Sequence, residues 1–60
     1  MTPSEISALR KKLDWSRTKF GVKIGYAEAS ARISVWKLET GKRRPSGPTL
    51  VLLKQLQRRS

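Results

Sequence analysis

Glycine and proline cut this chain into short pieces. Pro3, Gly21, Gly25, Gly41, Pro45, Gly47 and Pro48 punctuate it, and with a helix-start signal at Ser16 they leave room for helices of about two to four turns. No stretch alternates apolar and polar residues in the manner of a half-buried strand. Four helical segments fit between the breaks. The expected fold is therefore all-α: a compact bundle of four, or at most five, short helices forming one domain over 1–60.

The segments carry their own start and stop signals. In the first, Thr2 caps, Pro3 takes the first helical position and Glu5 the third, which makes a capping box. Ile6, Leu9 and Leu13 recur at helical spacing, and Arg10, Lys11 and Lys12 are expected to form a solvated face near the favourable end of the helix dipole, with DNA contact the alternative. Ser16 caps the second segment, and Trp15 before it staples against Phe20. This segment runs from Arg17 to Ile24, with Gly25 as its stop. Gly21 inside it costs about 1 kcal/mol relative to alanine, so another helix is expected to cross close by.

The third segment ends at Gly41, and Val35 and Leu38 are spaced to face the core. Counting back from Val35 puts its start near Ser30 or Ala31, leaving Tyr26, Ala27, Glu28 and Ala29 as a long connection. The fourth is expected over about 48–57. Leu50 and Leu53 would serve the core, Val51 and Leu52 would remain as surplus apolar surface, and Leu56 could extend either the core stripe or that surface. The tail residues Arg58 and Arg59 are expected to be disordered and are given no role.

Charge narrows the function. Fourteen Lys and Arg against four Asp and Glu leave +10 on 60 residues, with a pI near 11.4. Self-repulsion on that scale opposes compaction and usually answers a polyanion, nucleic acid first and an anionic membrane surface second. There is no cysteine or histidine, so the usual zinc ligands and the commonest general base are missing. The four acids (Glu5, Asp14, Glu28, Glu39) are dispersed. No enzyme activity, cofactor, metal or small-molecule ligand is expected. The longest apolar run, Leu50 to Leu53, is far below the ~20 residues of a bilayer span, and the N-terminus lacks the look of a signal peptide, so a cytoplasmic location is expected, with the protein held at the nucleoid through DNA.

The order of these signals resembles a known family. Leu9-Arg10-Lys11-Lys12-Leu13, Trp15-Ser16-Arg17-Thr18-Lys19-Phe20, Ile24-Gly25-Tyr26, and the run from Val35 through Leu38-Glu39-Thr40-Gly41 to Pro45-Ser46-Gly47-Pro48 are similar to the lambda-repressor-like, XRE-type helix-turn-helix regulators. The likeness spans roughly Thr2 to Leu56, with the helix-turn-helix at about 16–40. Arg17 and Gly21 stand where the family usually has Gln and Ala. The stretch from Gly25 to Val35 is about four residues longer than the common turn of such motifs.

The resemblance implies that the third helix lies in the major groove while the second crosses the backbone. Arg32, Ile33, Ser34 and Lys37 would then face base edges. Arg32 would pair with guanine O6 and N7, with a plain phosphate contact as the alternative; Ile33 would pack on a thymine methyl; Ser34 would read either base type; Lys37 would meet a guanine or a phosphate. Ser16, Arg17 and Lys19, at a helix start that offers amides to an anion, would contact phosphates with Lys42, Arg43 and Arg44. Trp36 would pack on the sugar-phosphate backbone or be partly buried against the connection around Tyr26.

A single domain of this size reads few base pairs, so a homodimer on a palindromic operator is expected, joined through Val51, Leu52 and Leu56. A reader without an inducer domain represses by occupying a promoter, including that of its own operon. The resemblance places such proteins in phages and mobile elements, among them anti-CRISPR-associated autoregulators and the antitoxins of toxin–antitoxin pairs. A DNA-binding antitoxin, a basic RNA-binding protein and a membrane-active protein are the alternatives. A membrane-active helix would need to be continuous, and single-strand RNA readers usually expose more stacking aromatics than four aromatic residues, two of them read as core, can supply.

Overall fold

The computed structural model describes residues 1–59, which form four helices: α1 (Pro3–Leu13), α2 (Arg17–Lys23), α3 (Glu28–Glu39) and α4 (Gly47–Arg59). There is no strand among the described residues, and the chain is an all-α bundle. Its core is Ile6 and Leu9 of α1, Phe20 of α2 and Ile24 just after it, Val35 and Leu38 of α3, and Leu53 of α4. Met1, Leu13, Trp15, Tyr26, Leu52 and Leu56 pack around that centre half-buried.

The first two helices start where the sequence predicts. Glu5 N–H donates to Thr2 Oγ1 at 3.2 Å while Thr2 N–H donates to Glu5 Oε1 at 2.8 Å, so two end amides are satisfied reciprocally. These bonds favour the carboxylate and hold Glu5 below its ordinary pKa, the backbone bond from Thr2 contributing most and the Thr2 side chain next. α1 ends with Asp14 in the left-handed region at φ 58°, its amide bonded to Lys11 O at 3.1 Å. Ser16 Oγ accepts from Lys19 N–H at 3.2 Å, and the Trp15 and Phe20 rings meet at 6.4 Å between centroids.

Gly21 marks the tightest packing in the bundle. A Cβ placed there would lie 2.6 Å from Ala31 Cβ and 2.8 Å from the Ala31 carbonyl oxygen. The glycine lets α2 and α3 approach until side chain meets backbone, which is the close crossing its cost implied.

α3 begins earlier than expected. Its first residue is Glu28, with extended Ala27 ahead of it and no side-chain cap; Ser30 sits inside the first turn, its amide already bonded to Ala27 O at 3.0 Å. The start at Ser30 or Ala31 is thus corrected: Ser30 N–H already closes on Ala27 O, so the first turn lies ahead of it. Glu28 in the first turn suits the positive end of the helix dipole. The connection is only Ile24 to Ala27, turned by Gly25 at φ 102°. The extra length before Val35 is a turn of helix, not loop.

α4 also departs from the reading. It extends to Arg59, so Arg58 and Arg59 belong to its last turn rather than to a disordered tail. Thr49 and Leu53 are buried and Leu50 is only half-buried, beside a cavity of about 480 Å³ under Met1, Ile6 and Leu38. Thr49 tolerates burial because Ser46 Oγ donates to its hydroxyl at 3.1 Å. No helix among the described residues is long and apolar enough to cross a membrane.

Candidate nucleic-acid interface

α3 sets the geometry of the site. Ala31, Ser34, Val35 and Leu38 are its buried residues, which leaves Ala29, Arg32, Ile33 and Trp36 exposed on the opposite side and Lys37 half-buried at the margin. Arg32, Ile33 and Trp36 are therefore outward residues of α3. Ile33 is 59% and Trp36 42% exposed. Among the described residues the ion pairs are Arg10–Glu39 and Arg17–Glu39, so Glu28, one turn before Arg32, leaves that guanidinium unengaged.

Ser34 does not belong to that face. It is 5% exposed and its hydroxyl accepts from Arg43 Nη1 at 3.3 Å, so the expectation that it reads a base is corrected. The neighbouring core residues Ala31, Val35 and Leu38 determine its direction; at i, i+3, i+4 and i+7 the four share one stripe. Lys37 lies at the edge, and Trp36 takes the more exposed place.

The basic loop folds back along the helix it follows. Lys42 N–H and Arg43 N–H both donate to Lys37 O, at 2.9 and 3.2 Å, after Gly41 turns the chain at φ 81°. Lys42 Nζ then lies 5.8 Å from the Trp36 ring centroid, and the Arg43 guanidinium lies 5.9 Å from that of Tyr26 while bonded to Ser34. Such cation–aromatic contacts are worth about 0.5–1 kcal/mol at exposed sites. They join α3, the α2–α3 connection and the loop into one positive surface. Trp36 is thus exposed and flanked by Lys42. Arg44 is exposed.

At the start of α2 the expected phosphate ligands are partly committed elsewhere. Ser16 Oγ caps the helix, Lys19 Nζ rides 5.1 Å over Trp15, and Arg17 Nε donates to Glu39 Oε1 at 3.3 Å. With Lys19 N–H already taken by Ser16, this seven-residue helix offers few free amides to an anion. The Arg17 side chain is still 44% exposed.

The role of Glu39 is not legible in the sequence. Arg10 Nε donates to Glu39 Oε1 at 2.9 Å and Arg10 Nη1 to Trp15 O at 3.1 Å, so Arg10 is not part of the solvated face assigned to it with Lys11 and Lys12. One carboxylate thereby connects α1, the start of α2 and the end of α3. A lone acid followed at the end of a helix by Gly41 was the only signal for it.

The expected dimer surface shrinks. Leu52 and Leu56 are half-buried against the chain's own core, with Leu52 Cδ1 reaching to 3.6 Å from where a Cβ on Gly25 would stand. Only Val51, 55% exposed, remains outward, and its exposed neighbours on α4 are Lys54, Gln55 and Arg58.

Compared with protein-family profiles, curated proteins and solved structures, the chain gives no match.

Proposed function

We propose that this protein is a sequence-specific reader of double-stranded DNA of the helix-turn-helix kind, α2 and α3 forming the motif, and that it represses transcription by occupying an inverted-repeat operator. The observation that supports this reading is the single surface made by the exposed side of α3 and the loop Lys42–Arg44 folded against it. In this reading α3 enters the major groove, Arg32 pairs with a guanine, and Lys42, Arg43 and Arg44 run along the phosphates with Arg17 and Lys19 on the other side.

Two copies bind the operator, but they meet weakly without it. Each carries +10, and pairing through Val51 sets Lys54 and Arg58 of one copy near those of the other. DNA neutralises that repulsion, so pairing is completed on the operator.

Selection from a random duplex pool tests the reading. It is expected to recover an inverted repeat with half-sites about one helical turn apart, ~34 Å. With about eight phosphates neutralised per pair, log K falls against log salt with a slope of about −7. Equal affinity for the whole pool at every salt concentration would contradict sequence-specific recognition.

A further inference from the structure

α3 presents an apolar strip at the centre of a positive surface. Ile33 and Trp36 are exposed side by side at i and i+3, with Ala29 one turn before Ile33. Single exposed apolar residues need no explanation. Two large ones adjacent on one helix, bordered by Arg32, Lys37 and Lys42, are a different matter. A second copy of this chain would bring the same cations against them. A duplex satisfies the border through its phosphates.

We propose that Ile33 and Trp36 together read C5-methyl groups on the floor of the major groove, those of thymine or of 5-methylcytosine. This inference rests on the DNA-reading function proposed above and names what its specificity consists of. Beside hydrogen-bonding edges, the C5-methyl is the apolar feature that the major groove displays. Residues three apart are separated by about 4.5 Å along a helix axis, a little more than the 3.4 Å step between bases of one strand. A helix lying along the groove thus sets Ile33 and Trp36 over neighbouring base pairs. Trp36 is oriented for this by Lys42 over its ring. Arg32, the residue before Ile33, supplies the polar part of the reading. The preferred half-site is a guanine next to two consecutive C5-methyl groups.

Uracil substitution isolates the methyl, since deoxyuridine differs from thymidine in that group alone. On the selected duplex, replacing the thymines one at a time is expected to weaken binding about four-fold at each of two adjacent positions and nowhere else in the half-site. Ile33→Ala removes the effect at one of them and Trp36→Ala at the other, as a double-mutant cycle requires. Both side chains are exposed, so circular dichroism of the variants should match the parent. Placing 5-methylcytosine for cytosine separates the two sources: a gain at sites where uracil causes no loss assigns the methyl to modified cytosine. A preferred duplex that tolerates uracil throughout, with no gain from 5-methylcytosine, overturns this inference alone. Absence of any preferred duplex overturns it together with the function it rests on.

Discussion

Glu39 at the end of α3 and Arg10 near the end of α1 form an ion pair of 2.9 Å in which the carboxylate side chain is 5% and the guanidinium side chain 14% exposed. Arg17 shares the same carboxylate oxygen from a far more exposed position. Removing one partner of a buried pair leaves the other charge desolvated, which costs about 3–5 kcal/mol. Exposed pairs contribute about 0–1 kcal/mol. Urea unfolding of Arg10→Met is therefore expected to show a loss in the first range and Arg17→Ala a loss in the second. Equal effects would mean that Glu39 is not held mainly by Arg10.

Gly21→Ala sets helix propensity against sterics. Alanine gains about 1 kcal/mol in an open helix. Here the new methyl meets the Ala31 backbone as well as its side chain, and backbone yields little. Overpacking of this sort costs about 1–3 kcal/mol, so the variant should be less stable than the parent, by denaturant midpoint. A more stable variant would mean that α2 and α3 sit further apart than described.

Acid should loosen the start of α1. Glu5 is lowered from its ordinary pKa by its bonds with Thr2, so the stability it contributes is fully present above the unfolded-state pKa of about 4.3 and is lost as pH falls through the lower folded-state value. Glu5→Gln can keep the reciprocal bonds without the charge. Its melting temperature is expected to vary less than the parent's over that acid window, and identical profiles would remove Glu5 as a cause.

Sedimentation tests how the copies pair. The protein alone is expected to be monomeric at micromolar concentration, because Leu52 and Leu56 are spent on its own core and Val51 is flanked by cations. On an inverted-repeat duplex two copies should bind cooperatively, and Val51→Lys, which removes the apolar contact and adds to the facing cations, should reduce that cooperativity. A stable dimer without DNA would contradict the weak-pairing account.

The elements were legible where local chemistry alone determines them. Thr2, Glu5 and Ser16 are read as caps because capping involves only residues within one turn, and Gly21 announced a crossing because it has no other benefit inside a helix. Two misreadings share one cause. Ala31, Ser34, Val35 and Leu38 form one stripe at i, i+3, i+4 and i+7, and Thr49, Leu52, Leu53 and Leu56 form another with the same spacing. In each, a small hydroxyl residue is buried because a partner outside the helix satisfies it: Arg43 for Ser34, Ser46 for Thr49. With Thr49 on the buried stripe, Leu50 turns aside, and Leu52 and Leu56 pack on the core rather than forming the expected dimer surface. The Arg10–Glu39 pair was out of reach for a different reason. Its partners lie 29 residues apart, and nothing local to either shows that the helices bearing them meet.

If α3 reads bases while the loop holds phosphates, a matched pair of substitutions separates the two roles. Arg32 and Arg44 are both exposed cations, one on α3 and one on the loop. Affinities of Arg32→Ala and Arg44→Ala should be measured on the selected duplex, on its single-base variants and on random duplex. Arg32→Ala is expected to lose about 1–3 kcal/mol on the selected duplex and to stop distinguishing bases at one position, while Arg44→Ala weakens binding to all duplexes alike and lowers the salt slope by about 1. If both variants lose affinity uniformly and keep the same base preferences, α3 is not the reading element.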